Sequence, residues 1–476
     1  MHTNKGWFHS LAASIAIGSI AIGATGCSEK REFPAEALQQ VSAVTDHTLQ
    51  IVQSTSASPP PNDIRTDVRT LTDAILSALR PMESHRDDLE IPDKFDAFAA
   101  AEVFACLSAN ATMLPNAEVM QRKLDEALQS GDEEQIIGWQ YMLTDLSRRG
   151  VLCAMLATET LSTLKSDEAF DLVGASIGPV YATAIAWQAW NGLALDSLLE
   201  RHVAANALIL DRLGRRCAQH SGDSAQRVVT TAPCVSYQLA MQSMPKLESA
   251  LPARAAAPAN AVTVLTRITD SQMRLLDGDL SNAGPAIERI AGDVKAAQGE
   301  IQRHGMAVDI GNRPDAGVYV KVKACSDSQV VLMESVATLM HRFDQLQVPN
   351  EAAAKAKQSA FGVLAMETSR CAIMASTYLD AVADLGAVDK LGMLVGELYA
   401  LSFATGRMAG VARNSLLEPQ LQAYKTVVNR MASRCDPNRR SMLDALFGQG
   451  NTACVSYQAA ADALTKLSAR NDSEQG

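Results

Sequence analysis

The chain is predicted to be all-α: two tandem, duplicated helical-bundle domains of about 215 residues, each with two disulfides. Three observations predict this. Apolar residues make up 47% of the chain but aromatics only 5%, and Ala and Leu dominate the apolar set. Those two favour helix, whereas strands draw on β-branched and aromatic residues. Next, Cys234-Val-Ser-Tyr-Gln-Leu-Ala returns as Cys454-Val-Ser-Tyr-Gln-Ala-Ala, 220 residues later. Finally, Cys106, Cys153, Cys217 and Cys234 are matched by Cys325, Cys371, Cys435 and Cys454 at offsets of 219, 218, 218 and 220.

The residues around these anchors agree. Val103-Phe-Ala-Cys106 aligns with Val322-Lys-Ala-Cys325, and Ser197-Leu-Leu-Glu200 with Ser415-Leu-Leu-Glu418. Gly174, Gly178 and Tyr181 align with Gly392, Gly396 and Tyr399, and His85 and Asp96 with His304 and Asp315. Unit one spans residues 35–251 and unit two residues 261–470, with an Ala- and Pro-rich linker at 252–260 and a disordered tail at 471–476.

Taken in order, residues 1–26 read as a signal peptide: Lys5 makes a short positive region and residues 11–22 an apolar run too short to span a bilayer. The run ends in Ala24-Thr25-Gly26-Cys27. Small residues before a Cys at this distance resemble the lipobox of bacterial lipoprotein precursors, with Ala24 where Leu is commonest in that class. The resemblance covers the leader alone. It implies that the chain is cut before Cys27, that Cys27 is lipidated and its new N-terminus acylated, as in palmitate-bearing precursors, and that residues 27–34 form a tether. Ser28, rather than Asp, implies outer-membrane sorting with the body in the periplasm. Several acyl chains anchor stably, at about 0.8 kcal/mol per buried CH₂.

Helices are expected over residues 35–54, 64–79, 93–114, 115–129 and 132–164 from apolar residues at helical spacing. Ser166-Asp167-Glu168 caps the next, expected to run on to Cys217 with a kink at Gly178-Pro179. A last helix carries Cys234 and Tyr237. Unit two repeats the plan, giving six or seven helices per unit. Residues 318–323 alternate like a strand, but their counterparts 99–104 read as helix, and repeated units share a fold, so helix is expected there. Gly174-x-x-x-Gly178 and Gly392-x-x-x-Gly396 read as close packing contacts.

An exported chain with four Cys per unit reads as a disulfide framework. Three pairings per unit are open. Neighbours in sequence are favoured: Cys106–Cys153, Cys217–Cys234, Cys325–Cys371 and Cys435–Cys454. No metal site is expected, since there is no C-x-x-C and no His at ligand spacing. No cofactor is expected.

The net charge is −11, and −12 once Lys5 leaves with the leader, which argues against a nucleic-acid partner. No catalytic residue is assigned. Gly174-Ala-Ser176-Ile-Gly178 matches G-x-S-x-G, yet the motif needs a preceding strand, and unit two carries Leu394 where Ser176 stands. Ser162-Thr-Leu-Lys165 fits S-x-x-K without its companion motifs. His85 and His304 are the one repeated His pair, expected to bond helix-end carbonyls or a repeated ligand. Trp187 and Trp190 share a helix face in unit one, where unit two has Thr405 and Met408; they read as core or as a groove for an apolar ligand.

The functional expectation is a non-enzymatic envelope lipoprotein, held to the membrane by its N-terminal lipid, that presents a helical surface to another envelope protein. A carrier for a small apolar ligand near Trp187 and Trp190 is the alternative, and an enzyme with a dispersed site the third. A buried apolar cavity above roughly 300 Å³ would favour the carrier, a flat, exposed apolar patch the adaptor, and clustered polar groups with shifted pKa in one cleft the enzyme.

Overall fold

A computed structural model describes residues 33–56, 64–193, 195–217, 234–251, 260–277, 283–334, 348, 350–410, 414–435 and 454–475. Cys27, with the leader, and residues 252–259 of the linker lie outside the described residues, as does the His304 side chain. The described residues are helical, with no strand among them.

Unit one holds α1 (Ala35–Ser56), α2 (Ile64–Asp88), α3 (Lys94–Ala111), α4 (Ala117–Ser130), α5 (Glu133–Thr163), α6 (Asp167–Trp190), α7 (Asp196–Cys217) and α8 (Val235–Ser249). Unit two holds α9 (Ala261–Asp277), α10 (Ala283–Ala307), α11 (Arg313–Glu334), α12 (Asn350–Ala381), α13 (Leu385–Met408), α14 (Leu417–Cys435) and α15 (Val455–Gln475). Side-chain caps start helices as the sequence demands, among them Asp93 for α3, Asp132 for α5, Ser166 for α6 and Asp384 for α13, each accepting from backbone N–H groups of the first turn.

Two expectations are corrected. The helix expected from 166 to 217 is two, α6 and α7, separated after Trp190, where Gly192 takes φ 63°, a left-handed conformation that favours glycine. Pro179, where a kink was expected, lies inside α6. Residues 471–475, read as a tail, continue α15. The strand-like run 318–323 lies within α11: alternation is a local signal, and burial of Tyr319, Val320, Val322 and Lys323 on more than one side overrides it.

Each unit is organised around one apolar helix. In unit one α6 is surrounded by α1, α2, α3, α5, α7 and α8; in unit two α13 is surrounded by α9, α10, α11, α12, α14 and α15. Helix α6 is long and apolar enough to cross a membrane, and it is buried within the protein on nearly all sides. A fully buried Val, Leu, Ile or Phe contributes about 1.5–3 kcal/mol, so this pair of helices anchors the two cores. Gly174 admits close approach of α8: a Cβ there would meet the Ser236 Cβ at 2.7 Å. Gly392 does the same against Ser456, at 2.9 Å. Gly178 departs from the expectation, since the nearest atom to its Cβ position is Thr45 Oγ1 at 3.8 Å.

The disulfides are Cys106–Cys153, Cys217–Cys234, Cys325–Cys371 and Cys435–Cys454, with Cα separations of 5.5–5.8 Å, the spacing such a bridge requires. They tie α3 to α5 and α7 to the start of α8, and their counterparts in unit two. The polar contacts repeat as well. Asp96 accepts from the N–H groups of Lys165 and Ser166, and Asp315 from those of Ala383 and Asp384. The Tyr181 hydroxyl meets Thr158 at 2.8 Å, and the Tyr399 hydroxyl meets Ser376 at 2.8 Å. The units also share a face, on which α5 lies against α11 and α12.

Candidate functional site

Most buried positions hold chemically similar residues in the two halves. Several positions break the rule, among them Asp145 where unit two has Val363 and Trp187 where it has Thr405, and one set gathers charge beneath a cleft. Unit two places Gln298, Lys323, Ser326, Asp327 and Glu397 where unit one has Leu79, Phe104, Leu107, Ser108 and Pro179. All five are buried. Unit one shows that the scaffold closes with apolar or small residues there, and buried ions carry a desolvation penalty of several kcal/mol each. The polar set is therefore a departure from what the fold needs.

Its members bond to one another and to the other half. Lys323 Nζ donates to Asp327 and lies 3.9 Å from Glu159 of α5. Arg201 of α7 reaches Asp327 at 3.1 Å and donates to Gln298. Gln298 Nε2 donates to Asp327 at 2.8 Å and to Glu397 at 3.2 Å, and Ser326 Oγ donates to Glu397. Two cations thus face three carboxylates, and the charges sort accordingly. Arg201 and Lys323 hold Asp327 below the usual carboxylate range although burial opposes them. Burial, and then the negative Asp327, push the Glu159 carboxyl up against the pull of Lys323. Burial raises Glu397 to about 7, and its Oε2 has no hydrogen-bond partner.

Above this cluster opens a cleft of about 710 Å³ between the halves. Its floor carries Glu159, Tyr319, Lys323 and Lys390; Ala204, Ala207 and Leu208 of α7 face Val308 and Ile310 of the α10–α11 connection. Burial raises the Tyr319 phenol and lowers the Lys390 ammonium, whose Nζ lies 5.1 Å over the Tyr319 ring. Arg313 closes one side, paired with Asp93 and Asp96 across the halves and stacked on Phe95 at 4.8 Å.

The residues singled out from the sequence lie elsewhere. Trp187 and Trp190 are buried in α6, the former against Gly150, and neither indole N–H has a partner. His85 lies 3.3 Å from Asp171, not at the end carbonyls of α2, and Asp171 also accepts from the Ser236 N–H and hydroxyl. Ser, His and Asp are gathered here, but the carboxylate sits in the middle, so no imidazole can take the serine proton; the trio clamps α2, α6 and α8. Ser176 is buried and bonds the Val173 carbonyl within α6, with no strand before it. Ser162 and Lys165 do line the cleft, yet the Ser162 hydroxyl donates to the Glu159 carbonyl.

His202, which the sequence did not mark, stacks on Tyr181 with centroids 4.8 Å apart; burial lowers it to about 3, and it stays neutral without a partner on either nitrogen. Among the described residues no group of three or more His, Cys, Asp and Glu is arranged to hold a metal. Comparison with family models, with curated proteins and with solved structures finds no match for this chain.

Proposed function

We propose that this protein is a lipid-anchored envelope protein that binds a small charged ligand, without turning it over, in the cleft between its halves. One observation carries the binding reading: the cleft floor is ionic where the equivalent core of unit one is apolar, so the charges serve something other than folding. The leader and Cys27 support an anchored location on the periplasmic face of the outer membrane. Glu159, Tyr319 and Lys390, shifted together in one cleft, are the feature expected of an enzyme; binding is favoured over turnover by the Ser and Thr hydroxyls lining the cleft. Ser162 and Thr163 donate to the carbonyls of Glu159 and Thr160, and Thr158 is engaged by the Ala154 carbonyl and Tyr181, so none is held by a base. The ligand seat differs from the groove expected near Trp187 and Trp190, which are buried in the core.

The test is native mass spectrometry on protein isolated from membranes, comparing the wild type with Ala207→Trp, which fills the cleft from an exposed wall position. A co-purifying small molecule that is absent from Ala207→Trp supports the cleft; equal recovery from both would place the ligand elsewhere. Peptide mapping of the same sample reads the lipid on Cys27.

A second reading, an adaptor for another envelope protein, is favoured by the exposed Ile137, Tyr141 and Met142 on α5 and Met366 and Ile373 on α12, the two helices that meet across the halves. A photo-crosslinking residue at Tyr141 that captures no protein in intact cells would set it aside.

A further inference from the structure

The charges of the cleft do not all find partners. Lys323 is engaged by Asp327 and Glu159, and Arg313 by Asp93 and Asp96. Among the described residues Lys165 has no ion pair but is exposed to solvent, so Lys390 stands apart. It rises from the second turn of α13, is half-buried, and rests its ammonium on the face of Tyr319. Among the described residues it has no ion pair; Glu159, Asp309, Asp384 and Asp389 act on it only through space. Three of these carboxylates are already engaged: Glu159 faces Lys323, Asp384 caps α13, and Asp389 accepts from Ser456. The fourth, Asp309, is exposed at the cleft mouth.

The equivalent position in unit one is Leu172, fully buried against α6's neighbours. The scaffold thus accepts Leu at this site, and unit two spends a lysine there. A half-buried ammonium without a counter-ion is unfavourable, and an anion arriving in the cleft removes that penalty. Beyond the ammonium, Ala207 and Leu208 on one side and Val308 and Ile310 on the other give the walls apolar stretches among polar residues such as Gln302 and Asp211.

We infer that the cleft binds a monoanionic organic acid, its carboxylate on Lys390 and its apolar body between α7 and residues 308–310. The inference rests on the cleft being the ligand seat. Among the described residues Lys390 is the half-buried cation of the cleft without an ion pair, while Lys165, the other unpaired one, is exposed; Asp211 and Asp309 at the mouth repel a phosphate dianion more strongly than a monoanion. A volume of about 710 Å³ accommodates a chain or ring system of drug-like size.

The experiment is isothermal titration calorimetry of the purified protein with decanoate and benzoate, against decanol and decylamine as neutral and cationic controls. Wild type, Lys390→Leu, Lys390→Arg and Ala207→Trp are compared, each checked for helical content by circular dichroism. Lys390→Leu copies the residue that the other half already holds, and so keeps its fold. The expected result is carboxylate binding at least about tenfold tighter than decanol in the wild type, the size of one charge-assisted contact. Lys390→Leu should bring decanoate down to decanol, Lys390→Arg should retain the preference, and Ala207→Trp should abolish both. Equal binding of decanoate and decanol, blocked by Ala207→Trp but unchanged by Lys390→Leu, would overturn the anion inference and leave the cleft standing. Decanoate binding that survives Ala207→Trp would overturn both. Absence of binding by either carboxylate would overturn the inference about ligand class.

Discussion

Replacing Glu397 by Gln tests whether the buried cluster is as electrostatically loaded as its geometry implies. Glu397 is 0% exposed, and burial lifts its carboxyl from 4.5 to about 7. The folded state therefore holds a proton that the unfolded chain releases at lower pH. Its neutral form is fully compatible with folding below pH 4.5, and stability drains away as pH rises from there through about 7. At roughly 1.4 kcal/mol per pH unit, the gap sets a penalty of about 3 kcal/mol once the group is ionised. Gln keeps the shape, and its amide oxygen can still accept from Ser326 and Gln298, but it carries no charge. Equilibrium unfolding by urea, followed by far-UV circular dichroism, should find the two proteins alike at about pH 4. At about pH 8 Glu397→Gln should be the more stable by up to about 3 kcal/mol. A difference that is the same at both pH values, or a wild type that gains on the variant as pH rises, would refute the assignment of Glu397 as an uncompensated third carboxylate.

Other outcomes follow from the packing. Gly174→Ala and Gly392→Ala should each destabilise by about 1–3 kcal/mol, because a Cβ meets Ser236 or Ser456 inside van der Waals contact. Gly138→Ala in α5, with nothing within 4 Å, should stabilise by about 0.5–1 kcal/mol; thermal melts that rank the three alike would contradict the close-approach argument. Arg201→Leu should lower stability by about 3 kcal/mol or more, since Asp327 loses its partner from the other half; a change below about 0.5 kcal/mol, as for a surface pair, would show the site to be wet. Removing Cys106–Cys153, which closes 47 residues, should cost about 4 kcal/mol, against about 3 for the 17-residue Cys217–Cys234 loop, by the chain-entropy account; the reverse order in denaturant midpoints would count against that account.

Much of the fold was legible because its signals are local. Helix starts at Asp93, Asp132 and Ser166 follow from side chains that cap their own first turns. The bridges paired as neighbours in sequence. The break between α6 and α7 was missed because residues after Trp190 carry no strong breaker beyond Gly192, and a run of good helix formers hides a turn that tertiary packing imposes. The candidate site was half visible. Lys323 aligns with Phe104 beside the matched Cys325 and Cys106, so a polar-for-apolar exchange in a buried helix was readable from the repeat itself. Its meaning was not, because Arg201 and Glu159 come from the other half, far along the chain.

The sequence by itself determined the helical class, the cysteine framework and the glycines Gly174 and Gly392 at which helices close on each other, because composition, spacing and short-range capping act within a few turns of chain. Only the tertiary structure decided that α5 lies against α11 and α12, that Trp187 and Trp190 are core, and that a cleft with Lys390 on its floor opens between the halves. Charges separated by more than a hundred residues become partners only when helix packing removes the water between them, and no periodicity along the chain records that event.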